Sequence, residues 1–104
     1  MSDLQETMID LAEMINWYWS NGTSDQEAAR VSLNQALEHG SDLEAAGQSV
    51  YYLAGYYWSD GNRGQIEMLE RLEALFGSRQ SVIEELRHSG DLPRQDHELV
   101  YNPS

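Results

Sequence analysis

The chain contains no lysine and no cysteine, only two prolines, and six arginines against 18 Asp and Glu in 104 residues. Without cysteine there is no disulfide framework, no thiolate nucleophile and no Cys-based zinc site. At a formal net charge of −12 the surface has little with which to neutralise phosphates. This argues against direct nucleic-acid binding and against docking on anionic lipid. A long hydrophobic run is missing too. The longest stretch free of charge and of Gln, Ser49–Ser59, contains Gly55 and falls well short of the ~20 apolar residues that span a bilayer. Residues 1–20 carry Asp3, Glu6, Asp10 and Glu13 and no basic residue, so they do not read as a signal peptide. The expectation is a cytoplasmic protein with no membrane partner.

What is present suffices for one domain. Apolar residues make up 40 % of the chain and ten residues are aromatic, well above a disordered composition. Gly22, Gly40, Gly61, Gly77 and Gly90 each follow a stretch of helical periodicity, where glycine supplies a left-handed cap. Ser24 with Glu27, Ser41 with Glu44 and Ser81 with Glu84 fit the S-x-x-E capping box, and Asn62 with Gln65 is a weaker relative. These signals predict an all-α fold of five helices over about 3–20, 25–39, 42–60, 63–76 and 79–88. They form two stacked α-hairpins, a short C-terminal capping helix and an irregular tail. The domain spans 1–89 and the tail 90–104, tied down by Leu99, Val100 and Tyr101.

Apolar stripes support this. Leu4, Met8, Leu11, Ile15 and Tyr18 recur at helical spacing in the first helix, as do Ile66, Leu69, Leu72 and Leu75 in the fourth. The third helix has two packable faces, one with Val50, Leu53 and Ala54 and the other with Ser49, Tyr52 and Tyr56, as suits the middle of a stack. Gly47 in its interior costs about 1 kcal/mol of helix propensity, which close approach of a neighbour would offset.

Trp17–Gly22 (WYWSNG) and Tyr56–Gly61 (YYWSDG) match at an offset of 39 residues, and each precedes a second, shorter helix. Over about residues 11–76 this pattern resembles tetratricopeptide-like α-hairpin repeats, with Ala28 and Ala29 in the small-residue role of the second helix. The resemblance implies a peptide- or protein-binding scaffold. Two repeats are fewer than the three a solenoid usually needs. Either the fifth helix caps the stack or a second copy, a homodimer, completes it.

No catalytic signature appears. His39 and His88 sit at predicted helix ends, where they complement the dipole, and His97 lies in the tail. Neither metal-ligand spacing nor a phosphate-binding glycine loop is found. Paired carboxylates such as Glu84 and Glu85 read as solvated faces. The expectation is a non-enzyme without cofactor or metal.

The first helix is the most informative. Asp3, Glu6, Asp10 and Glu13 step by 3, 4 and 3, forming one acidic row opposite the apolar stripe, and Trp17 continues it. The first 60 residues carry ten acids and one arginine, net −9; the rest carry eight acids and five arginines, net −3. The charges of the fourth helix, by contrast, read as an ordinary mixed solvent face. The expected partner-binding residues are Asp3, Glu6, Asp10, Glu13 and Trp17, with Tyr52 and Tyr56 as a second aromatic pair, core or groove-lining. This supports a non-catalytic interaction module docking on a basic surface of a larger protein, as an adaptor, chaperone or inhibitor. The alternative is an acidic nucleic-acid mimic that blocks a DNA- or RNA-binding defence protein. In size and sign of charge the chain is similar to all-α phage anti-restriction and anti-CRISPR proteins.

Overall fold

A computed structural model describes residues 3–90. The chain forms α1 (Asp3–Tyr18), α2 (Ser24–His39), α3 (Leu43–Tyr57), α4 (Arg63–Phe76) and α5 (Arg79–Ser89), with no strand among the described residues. The all-α, five-helix expectation holds. The tail expected beyond Gly90, with Leu99, Val100, Tyr101 and His97, lies outside the described residues.

Two boundaries differ from the sequence reading by more than one residue. The first helix ends at Tyr18 rather than 20, and the third at Tyr57 rather than 60. Trp58 still donates to Ala54 O, but the Ser59–Gly61 segment turns, with Gly61 N donating to Trp58 O at 2.9 Å.

The caps correct the sequence reading more sharply. Thr23, not Ser24, caps α2, and the reciprocal box is closed by Gln26 instead of Glu27. The pair that looked weakest, Asn62 with Gln65, is a full capping box on α4. Ser41 does not cap α3; Asp42 takes that place with φ 57° and no side-chain cap bond. Ser78, not Ser81, caps α5. The glutamines prevail because each is buried beneath its turn, where a neutral amide meets backbone donors without the cost of burying a carboxylate.

Gly40, Gly77 and Gly90 adopt positive φ at helix ends, as expected. Gly22 and Gly61 do not. They are glycine because a Cβ there would collide with Oε1 of Gln26 or Gln65, the atom that closes the box.

The internal repeat is structural. Gly22 N donates to Trp19 O at 3.2 Å, as Gly61 N does to Trp58 O. Thr23 N donates to Gln26 Oε1, and Asn62 N to Gln65 Oε1, both at 2.9 Å. Contacts between the hairpins are reciprocal as well. Tyr18 sits edge-on to Trp58 at 5.8 Å, and its counterpart Tyr57 sits edge-on to Trp19 at 5.9 Å. Asn62 Nδ2 donates to Tyr18 Oη at 2.9 Å, while the counterpart oxygens, Thr23 Oγ1 and Tyr57 Oη, lie 3.2 Å apart. Trp19 and Trp58 meet at 5.6 Å in the middle. Contacts in which i meets j and j's counterpart meets i's are the mark of a two-fold relation. The two hairpins therefore face one another as two copies would in a dimer.

α3 is the central element. It packs on α1, α2, α4 and α5, and eight of its 15 residues are buried. The close approach expected at Gly47 is there: a Cβ would run into Met8 of α1 and come within 3.0 Å of Phe76 Cζ of α4. α1 also packs directly on α4. That contact creates the groove described next.

Candidate functional site

α1 and α4 meet through the core-facing sides of their stripes. Met8, Leu11 and Ile15 are fully buried, as is Leu72 opposite. On the flank of this contact, buried Thr7 meets Arg71 of α4, half-buried Met14 lines the seam with Met68, and the acidic row runs beside them. Instead of lying opposite the apolar stripe, as the spacing suggested, the row borders the α1/α4 seam.

The seam opens into two adjoining depressions. The larger, about 400 Å³, is lined by Asp10, Glu13, Trp17 and Tyr18 of α1 and by Gly64, Glu67 and Arg71 of α4, with Met14 and Met68 between them. The smaller, about 290 Å³, is lined by Asp3, Glu6 and Thr7 and by Arg71, Ala74 and Leu75. Arg71 stands at the junction. It reaches across to Asp10 Oδ2 at 3.0 Å and to Thr7 Oγ1 at 3.4 Å. Around the two depressions, five carboxylates face one guanidinium. Glu67 also pairs with Arg63, one turn earlier on α4, at 3.3 Å.

Five of the seven expected residues are thus brought together: Asp3, Glu6, Asp10, Glu13 and Trp17. All four acids are exposed, and Trp17 is 76 % exposed. The fourth helix is more than a mixed solvent face, because Glu67 and Arg71 form the opposite wall. Sequence reasoning missed both, since their i,i+4 spacing with opposite sign is common on any exposed helix.

Tyr52 and Tyr56 do not join this site. Tyr52 is 1 % exposed, beneath the Arg79 guanidinium, whose carbon lies 5.0 Å from the ring centroid. It belongs to the core side of the two alternatives, because α5 packs over the face of α3 that carries it. Tyr56 is half-buried, edge-on to Tyr57 at 5.2 Å, and lines a separate depression. Trp19 and Trp58 are core residues as expected, while Tyr57 is half-buried with its hydroxyl 3.1 Å from Asp25 Oδ2. Burial pushes the Tyr57 phenol above its ordinary 10.0; the Thr23 hydrogen bond works against this, and Asp25 adds to it.

Among the described residues no group of His, Asp and Glu could hold a metal ion. His39 and His88 occupy the last turns of α2 and α5. No described helix is long and apolar enough to cross a membrane. No known family model matches the chain, and neither a curated protein nor a solved structure is significantly similar to it.

Proposed function

We propose that this chain is a non-catalytic protein-interaction module whose α1/α4 groove docks on a basic surface of a larger protein. One observation carries the reading: four carboxylates in a row along one groove wall lead to a tryptophan that is 76 % exposed at its end. Large apolar side chains left in water at a charged groove are the residues that become interface anchors. Like charges spaced three and four apart cost the isolated helix about 0.2–0.5 kcal/mol per pair. A basic partner would relieve that repulsion, and the negative field would speed encounter. An adaptor, a chaperone or a small inhibitor would each use such a surface.

Nucleic-acid mimicry is the second reading. It calls for two rows of carboxylates spaced across a groove like phosphates. The α4 wall offers Glu67 beside Arg71 instead of a second acidic row, so the groove favours a basic protein segment.

The test is affinity capture from source-cell lysate with the wild-type chain, Trp17→Ala, and the combined Asp3→Asn, Glu6→Gln, Asp10→Asn, Glu13→Gln variant. One basic protein held by the wild type and lost with both variants is the expected result. Retention by both would overturn the proposal. Loss of that protein on adding duplex DNA or RNA would promote the mimic reading.

A further inference from the structure

We propose that the depression between α3 and α5 is a binding site for a small carboxylate, with Arg79 as its anchor. It shares no residue with the α1/α4 groove and is independent of the reading given above.

Arg79 is the first residue of α5 and lies across the last turn of α3. Its Nε donates to Tyr52 O at 2.9 Å, and its guanidinium lies over the Tyr52 ring. Burial lowers its pKa, opposed by Tyr52 and Tyr51. Its Nη2 is shut off from solvent and has no hydrogen-bond partner. In a chain with 18 acids, the ion pairs among the described residues go to Arg30, Arg63 and Arg71. The half-buried guanidinium has none of them. A pure staple between α5 and α3 would need only the Nε bond. With Nε bonded and Nη2 sealed in, Nη1 is the nitrogen left to meet a ligand: a charged donor on a half-buried cation, which a carboxylate satisfies with a charge-assisted hydrogen bond.

The backbone is cut to fit this side chain. A Cβ at Gly55 would overlap Arg79 Cδ and Nε. The hairpin repeat provides an internal control. The counterpart of Gly55 in α1 is Asn16, which carries a full side chain paired with Asn34 at 2.9 Å. The hairpin design therefore does not demand glycine there; the guanidinium does.

The depression encloses about 490 Å³ and is lined by Gly55, Tyr56, Tyr57, Ser59, Asp60 and Arg79. The Tyr57 hydroxyl is committed to Asp25, and Ser59 Oγ donates to Tyr56 O. Tyr56 thus offers an aromatic wall beside the guanidinium. Asp60 on the rim disfavours a dianion, which selects a single carboxylate with an apolar body over phosphate. The acid could be free or the terminus of a peptide.

The test is an NMR titration of the full chain with benzoate, followed through the Arg79 Nε–H and Tyr56 ring signals. Benzamide serves as the neutral isostere, inorganic phosphate as the dianion, and an apolar tripeptide with a free or amidated C-terminus as the alternative source. Saturable shifts with benzoate or the free-terminus peptide, absent with benzamide and the amidated peptide, are expected. Whichever of the two acids binds more tightly identifies the source. Arg79→Gln should weaken binding roughly tenfold or more. Gly55→Ala, which displaces the side chain without removing it, should do the same if Arg79→Gln fails to fold. Equal shifts with benzoate and benzamide, tighter binding of phosphate, or undiminished binding by both variants would overturn the proposal.

Discussion

Arg71 reaches from α4 across the seam to Asp10 of α1 at 3.0 Å, so one cation divides the acidic groove into two depressions. Both side chains are about half exposed, at 45 % and 52 %. Such a pair contributes about 0–1 kcal/mol to stability. Its larger effect is on the field of the groove. Arg71→Gln should change the unfolding free energy by less than about 1 kcal/mol. It should also tighten binding of a cationic helical peptide and steepen its salt dependence. Isothermal titration at two ionic strengths checks this; weaker binding would show that Arg71 contacts the partner directly.

Trp17 and Trp19 should separate cleanly. Trp17 lies in solvent, so Trp17→Ala should alter stability by no more than about 0.5 kcal/mol. Trp19, 2 % exposed at the junction of the hairpins, should cost about 3–5 kcal/mol as alanine. Urea unfolding of the two variants distinguishes anchor from core. A Trp17→Ala variant as unstable as Trp19→Ala would mean that Trp17 is part of the fold.

The two glycines packed on the capping boxes, Gly22 and Gly61, make a finer test. A Cβ at Gly22 would meet only the Gln26 side chain, whereas one at Gly61 would also come within 3.0 Å of the Trp58 carbonyl, which is backbone and cannot swing away. Gly22→Ala should therefore cost only the cap, about 0.5–2 kcal/mol, and nothing further in a Gln26→Ala background. Gly61→Ala should remain costly even with Gln65→Ala. A double-mutant cycle on each turn measures the coupling, and identical cycles at both turns would refute the assignment.

Alkaline pH should weaken the fold. Burial raises the phenol pKa of Tyr51, with Glu73 adding and Arg79 opposing, and burial likewise raises that of Tyr57, both above the ordinary 10.0. The folded state then keeps protons that the unfolded chain releases. Their contribution is complete below pH 10.0 and is lost as pH rises through the folded values. Melting temperature followed from neutral pH past this point, alongside tyrosinate absorbance, should show the loss. It should be smaller in the Tyr51→Phe, Tyr57→Phe double variant.

The helices were legible because their stripes and turn residues are local, and the repeat was visible in WYWSNG and YYWSDG. The α2 cap was misread because Thr23 relies on a glutamine whose burial is set by the turn, not by the S-x-x-E pattern, whereas the Asn62–Gln65 pair read from the sequence is the cap of α4. The acidic row itself was readable from spacing, and so was Trp17 at its end. Its second wall was not. Which flank of α1 meets α4 depends on how the hairpins face one another, and that follows from reciprocal contacts among Tyr18, Trp19, Tyr57 and Trp58. Tyr52 was drawn as a core or groove residue because nothing local says that α5 folds over it.

The most direct measurement is a backbone NMR titration of the wild-type chain with an amphipathic helical peptide bearing arginines along one face. Shifts confined to Asp3–Trp17 of α1 and Glu67–Arg71 of α4 are expected, with affinity that falls as salt rises and is lost in Trp17→Ala. Shifts centred on other helices, or binding indifferent to both salt and Trp17, would contradict docking at the α1/α4 groove.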